Sequence, residues 1–203
     1  MQKYNFNNAK YGSHKLIANE LGSGKLILDV GCNKGYLYNL APNNIFYGID
    51  YNGKELELAK TNYEEVYRIN LNNYKLFKVG LKFDVIIFAD ILEHLIYPEQ
   101  VLRYFVSNYL KKTGKVILSL PNIANFSIRI SLLFGKFNYT ESGILDKTHL
   151  HLYTLKSAKR LIESCSLSIK KEKFSSNHFG FLIKRSHFLG SILGFNIILT
   201  CKR

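Results

Sequence analysis

Two short segments of this 203-residue sequence concentrate the side chains that could do chemistry. One reads Phe88-Ala-Asp90-Ile-Leu-Glu93-His94-Leu, the other Leu145-Asp146-Lys-Thr148-His149-Leu-His151-Leu-Tyr153-Thr154. If a helical turn begins at Asp90, then Asp90, Glu93 and His94 stand at i, i+3 and i+4 and share one face, leaving Ile91, Leu92 and Leu95 to the other. Two carboxylates and an imidazole so placed could hold a divalent cation, with a distant histidine completing the shell. His149 and His151 are the natural suppliers, because a strand would point both to one side. The same Asp90-x-x-Glu93 spacing also reads as a capping box with no ligand at all, Glu93 reaching back to the Asp90 backbone. A histidine near an acceptor hydroxyl is, in addition, a candidate general base.

A third segment is suited to binding. Leu26-Ile-Leu-Asp-Val-Gly-Cys-Asn-Lys-Gly-Tyr-Leu is an apolar strand ending in Asp29, then a glycine turn, then helical residues. Gly31 and Gly35 let the backbone approach a ligand where a side chain would collide. Twenty-one residues after Asp29 a second strand ends in Asp50, whose carboxylate could accept both hydroxyls of a ribose.

The elements that must position these groups alternate in the manner of βαβ units. Strands are expected at 26–30, 45–50, 65–70, 83–89, 115–120, 167–174 and 195–201. The run Phe83-Asp-Val-Ile-Ile-Phe-Ala is continuous rather than alternating, as in a central parallel strand covered on both faces. Helices are expected at 8–20, 34–40, 54–61, 98–110 and 154–164, the last with Thr154 as its cap. Between 122 and 153 the alternation breaks, and Phe126, Phe134, Phe137, Tyr139 and Tyr153 are interleaved with Arg129, Lys136 and Lys147. That stretch is too long for an ordinary connection, so an inserted lid is expected, with an amphipathic helix near 125–134.

Size suits one domain over residues 1–203, burying roughly 70% of its unfolded surface. The hydrophobic fraction of 47% is ordinary for a globular chain. The polar start and the shortness of every apolar run predict neither a targeting segment nor a membrane span. Cys32, Cys165 and Cys201 form no ligand pairs, which fits a reducing cytoplasm. Residues 1–102 carry 11 basic and 11 acidic side chains, whereas residues 103–203 carry 17 basic and 4 acidic ones, so the whole net charge of +13 lies in the second half. Such a surface suits an anionic acceptor, nucleic acid included, although a lysine-rich solvated face would give the same count.

The Asp29-Val-Gly31-Cys-Asn33-Lys-Gly35 turn, with Asp50 and the Asp90-Ile-Leu-Glu-His94 segment, resembles the class I S-adenosylmethionine-dependent methyltransferases, whose turn is D-x-G-x-G-x-G. Asn33 replaces the middle glycine, and asparagine tolerates positive φ better than most residues. The resemblance implies an α/β, Rossmann-like fold: a seven-stranded, mostly parallel sheet with helices on both faces and an antiparallel last strand. It implies S-adenosylmethionine as cofactor, Asp29 and the Gly31 backbone at its methionine end, and Asp50 at the ribose. It further implies Asn70 and the Leu71 backbone at the adenine, with Ala89 and Asp90 closing the pocket.

The Asp90–Glu93–His94 and His149 pattern is also similar to two metal-assisted groups, those methylating the 3′-terminal ribose of small RNAs and those of ubiquinone biosynthesis. Residues 122–154 resemble bacterial methyltransferase domains found with glycan-assembly enzymes. Together these imply O-methylation of a small anionic or glycan- or lipid-linked acceptor, with His149, His94 and Glu93 as catalytic groups. A divalent metal on Asp90, Glu93, His94 and His149 is the lesser reading. Two rivals remain: an RNA methyltransferase of the 2′-O type, and a non-catalytic cofactor-binding module, which the departures at Asn33 and Asn70 would suit.

Overall fold

A computed structural model describes residues 9–176 and 180–203. The strands are β1 (Leu26–Val30), β2 (Ile45–Asp50), β3 (Glu65–Arg68), β4 (Phe83–Ala89), β5 (Leu110–Pro121), β6 (Ser168–Phe174) and β7 (Asn196–Lys202). They form one sheet in the order β3-β2-β1-β4-β5-β7-β6, with β7 antiparallel to both its neighbours. The other pairings are parallel, so β1, β2, β4 and β5 all end on one edge.

β4 shows why its sequence does not alternate. Ile86 and Phe88 enter a core beneath α3 (Pro98–Tyr109) and α5 (Leu155–Ser164), while Val85 and Ile87 enter a second core on the opposite face with α1 (Ser13–Leu21) and α2 (Gly53–Ala59). Burial on both faces leaves the strand apolar from Val85 to Ala89, with Asp84 at its start paired to Lys111. In the first core, the Tyr104 and Tyr109 hydroxyls both donate to the Phe77 carbonyl, at 3.0 and 2.7 Å, which satisfies their polar ends. The buried Glu20 carboxylate at the end of α1 pairs with Lys171 and Lys173 of β6, tying the first helix to the far edge of the sheet.

Several expected elements come out differently. The expected start of the first helix at residue 8 lies outside the described residues, and α1 begins at Ser13. Residues 34–40 form turns and a short 3-10 helix at Tyr38–Leu40, because Gly31, Asn33 and Gly35 all adopt positive φ and break the helical path. Two helices between β6 and β7 were not expected: α6 (Gly180–Arg185) and α7 (His187–Leu193), whereas β5 is followed by α4 (Phe126–Leu133). α4 lies where a helix was expected, with Asn125 as its cap, but it buries none of its residues.

At α5 the Thr154 hydroxyl accepts from the Ser157 amide at 3.2 Å, and the Ser157 hydroxyl accepts from the Thr154 amide at 2.9 Å, a reciprocal capping box. Thr154→Ala should therefore cost about 1 kcal/mol, read as a lower urea midpoint with unchanged slope. A midpoint equal to the native one would mean the cap contributes nothing.

Candidate active site

A cavity of about 700 Å³ opens at the carboxyl ends of β1, β2 and β4. This size is typical of a small-molecule site, and the edge is where open α/β sheets bind ligands. Its walls bring together Asp29, Gly31, Asp50, Ala89 and Asp90 with Glu93, His94 and His149.

On the β1 side Asp29 is buried, and its Oδ2 accepts from the Tyr63 hydroxyl at 2.7 Å, while Oδ1 has no hydrogen-bond partner. Burial pushes the Asp29 carboxyl up to about 7, and the nearby Asp50 charge adds to the rise while the Tyr63 hydroxyl opposes it. Asp50 accepts the Asn33 amide on Oδ2 and the Asn52 amide on Oδ1, each at 2.9 Å. Asn33 reaches that position with φ of 49°, the tolerance expected of it. Gly35, expected at the ligand, has another role: it does not line the cavity, and a Cβ there would stand 2.8 Å from the Tyr63 ring. Asn70 and Leu71 also lie off the cavity. β3 ends at Arg68, Leu71 is buried, and Asn70 is exposed with its Oδ1 committed to the Asn72 amide.

The turn after β4 corrects the expected helical face. Asp90 has φ of 51° and starts no helix; the only regular turn is a 3-10 helix at Leu92–His94. Asp90 instead accepts from the Ser119 hydroxyl and the Asn196 side-chain amide, both at 2.6 Å, on Oδ1. Nor does the capping box form. Glu93 is fully buried and neither of its carboxylate oxygens has a hydrogen-bond partner. Burial, and then the Asp90 charge, push its carboxyl well above the usual carboxylate range.

The second segment is a turn, not a strand, so His149 and His151 do not share a side. His149 lines the cavity, with its ring centroid 4.8 Å from that of His94, whereas His151 packs on Tyr153 and does not line it. The loop is fastened to the β4 turn by the Leu150 and His151 amides, which donate to the Glu93 carbonyl at 2.8 and 3.1 Å. His94 Nδ1 lies 3.1 Å from the Thr148 carbonyl and His149 Nδ1 lies 3.0 Å from the Ile144 carbonyl. The Thr148 hydroxyl also lies 3.1 Å from His94 Nδ1. A carbonyl can only accept, so the His149 tautomer that satisfies Ile144 has its proton on Nδ1 and a lone pair on Nε2. Glu93, His94 and His149 each offer one ligating atom, all within 4.8 Å of one another. Asp90 is not part of that group among the described residues.

Other residues entered the site without a signal in the sequence. Ser13 and His14 come from α1, Ser175 follows β6, and Phe195 and Asn196 lie at the start of β7. Burial pushes the His14 imidazole below its usual value, against the pull of Asp90.

The profile of a protein family described as a methyltransferase domain matches residues 1–169. No curated protein matches the sequence. Among solved structures, the chain is similar to the magnesium protoporphyrin IX methyltransferase of Synechocystis PCC 6803 with bound SAH, at 19% identity and a TM-score of 0.63, covering 93% of this chain and 78% of that one. A SAM dependent methyltransferase from Archaeoglobus fulgidus gives 17% identity and a TM-score of 0.63, over 96% of each chain. A possible histamine N-methyltransferase from Thermotoga maritima gives 14% identity and a TM-score of 0.65, over 94% of this chain and 87% of that one. At these identities the likeness is one of fold.

Proposed function

Because the chain belongs to the methyltransferase-domain family, we propose that it uses S-adenosylmethionine to methylate an oxygen of a small anionic or glycan- or lipid-linked acceptor. The observation that carries this reading is one cavity with two chemically distinct walls: Asp29 and Asp50 on one side, Glu93, His94 and His149 on the other. The first wall fits the cofactor. Asp29 Oδ1 is a buried acceptor awaiting a donor, which the cofactor's ammonium would supply. Asp50 is held by two backbone amides, and each of its oxygens keeps a lone pair for a ribose hydroxyl.

Bound S-adenosylmethionine supplies a methyl group on a cationic sulfur. The chain's own residues then have to place an acceptor hydroxyl in line and take its proton. His149 is suited to the second task, since its Nδ1–H is committed to Ile144 and its Nε2 can accept. The new bond is acceptor oxygen to methyl carbon, the broken bond is carbon to sulfur, and the proton ends on His149. Within the 122–153 insertion it is the stretch from Gly143 to His149 that acts as a lid over the acceptor, since Gly143, Thr148 and His149 line the cavity. The positive second half favours an acceptor that carries negative charge.

Calorimetric titration with S-adenosylhomocysteine tests the cofactor assignment. Binding is expected, and Asp50→Ala should weaken it by at least about tenfold through loss of a charge-assisted hydrogen bond. No heat at millimolar ligand would overturn the reading.

The Glu93–His94–His149 cluster favours a second reading, in which these residues hold a divalent cation that draws the acceptor hydroxyl toward ionisation. Two imidazoles and a carboxylate suit a first-row transition ion better than magnesium. Dialysis against a chelator should abolish transfer in this case and leave it unchanged if His149 is the base. Titration of manganese into the protein should likewise show one site, lost in Glu93→Gln, only in the cation case.

A further inference from the structure

The face formed by α4 and the loop that follows it carries the strongest feature not explained by the active site. Five of the eight residues of α4 are apolar, yet none is buried. Phe126, Ile130 and Leu133 follow the i, i+4, i+7 spacing by which a helix normally presents its buried stripe, and Leu133 is 77% exposed. The exposure continues without a break from Leu132 to Ser142, taking in Phe134, Phe137 and Tyr139. Phe134 is 71% exposed. A continuous apolar face of this kind is rarely left in water.

Its charges are one-sided. Within residues 126–142 the basic side chains are Arg129 and Lys136, and the sole acidic one, Glu141, is paired with Lys147 at 2.7 Å. A second element of the same character adjoins it. Asn122 and Asn125, leading into α4, donate to the carbonyls of Ser191, Leu193 and Gly194 at the end of α7. α6 and α7 present exposed Phe181 and Phe188 with Lys184 and Arg185. The face also begins at the cavity rim, where Phe195 lines the site and lies 3.6 Å from the Cβ position of Gly143, itself a lining residue.

We propose that this face docks the protein onto an anionic lipid surface, with the aromatic and leucine side chains at the headgroup boundary and Arg129 and Lys136 on lipid phosphates. Exposed leucine and phenylalanine with lysine and arginine among them, and almost no acid, is a composition suited to an anionic membrane surface. A second copy of the chain is a poorer occupant, since it would bring its own +13. No helix among the described residues is long and apolar enough to cross a membrane. The cavity then opens toward the bilayer, and under the transfer reading given above an amphiphilic acceptor could enter without leaving the membrane.

Sedimentation with vesicles tests the docking. The protein should bind vesicles containing one part phosphatidylglycerol to about two parts phosphatidylcholine, bind phosphatidylcholine alone weakly, and be released by salt. Leu133→Glu with Phe134→Glu should lower the vesicle partition at least about tenfold while leaving S-adenosylhomocysteine binding unchanged. Arg129→Gln and Lys136→Gln should each cost about fivefold, on phosphatidylglycerol only. The docking is overturned by absence of binding, by equal binding to both lipids, or by full binding of the double glutamate variant. A native dimer that the double variant dissociates would assign the face to a second copy instead. Failure to bind S-adenosylhomocysteine would sink the transfer reading and leave the vesicle result standing.

Discussion

His149→Ala should lower kcat by roughly a hundred- to ten-thousandfold, the span attributed to a positioned general base. Affinity for S-adenosylhomocysteine should stay close to native, because Asp29 and Asp50 do not depend on the ring. The measurement is transfer of tritiated methyl groups, using whichever acceptor a screen of hydroxylated carbohydrates and lipid-linked glycans selects. Added imidazole should restore part of the rate if His149 takes the proton, since the missing group is then a soluble base of the same chemistry. If the ring holds a cation, imidazole restores little and Glu93→Gln falls in parallel. Glu93 is informative as a control because neither of its oxygens makes a hydrogen bond, so the amide isostere breaks no contact of the resting protein. A kcat for His149→Ala within about threefold of native would remove His149 from the chemistry altogether.

The parts of this site that could be read from sequence are those fixed by local rules. Asp29 is the last residue but one of β1 and Asp50 the last of β2, and a strand end is visible as an apolar run broken by a polar residue just before a turn. Asn33 kept the turn because left-handed backbone is a property of the residue itself. Asp90 misled for the same reason in reverse. Its spacing to Glu93 is that of a capping box, but the Asn196 and Ser119 side chains, 106 and 29 residues away, hold it at positive φ, and no local pattern contains them. Tyr63 could not be told from any core aromatic, because its function is a single hydroxyl reaching Asp29 across 34 residues. The adenine residues Asn70 and Leu71 were carried over by likeness alone; β3 ends two residues before Asn70, which caps the 3-10 helix that follows.

The exposed face of α4 marks a different limit. A helix at 125–134 was legible in the sequence, but the expected amphipathic face did not form: the apolar residues of α4 stand on more than one side, with Arg129 among them. Whether such a helix meets a core or something outside the molecule depends on the elements that arrive from elsewhere. Here the Asn122 and Asn125 side chains fix the start of α4 against α7, and the helix body is left uncovered. Polar anchors at one end of the helix thus fix its position without covering its apolar residues.

Asp29→Asn should stabilise the cofactor-free protein and weaken its cofactor binding, and both effects should depend on pH in a way no neutral residue can reproduce. The folded-state carboxyl is raised to about 7 by burial, above its unfolded value near 3.8, so its contribution to stability is complete below pH 4 and is lost as pH rises through 7. Over that interval the native protein forfeits about 4 kcal/mol, at 1.36 kcal/mol per unit. Asparagine keeps an acceptor for the Tyr63 hydroxyl and forfeits nothing. Urea unfolding of the two proteins should thus coincide near pH 4, diverge up to pH 7 and run parallel above it, with the variant the more stable. Binding has the opposite sign. An ammonium placed at Asp29 Oδ1 favours the ionised carboxylate, so native affinity for S-adenosylhomocysteine should rise by up to about tenfold per unit as pH approaches 7 and then level off. The asparagine variant should be flat, and about ten- to a hundredfold weaker at pH 8. Parallel pH profiles for the two proteins would place the ammonium elsewhere, and with it the orientation of the cofactor along the sheet edge. The site would then be spending its buried charge on structure, which a fully desolvated carboxylate with one unmet oxygen is poorly built to do.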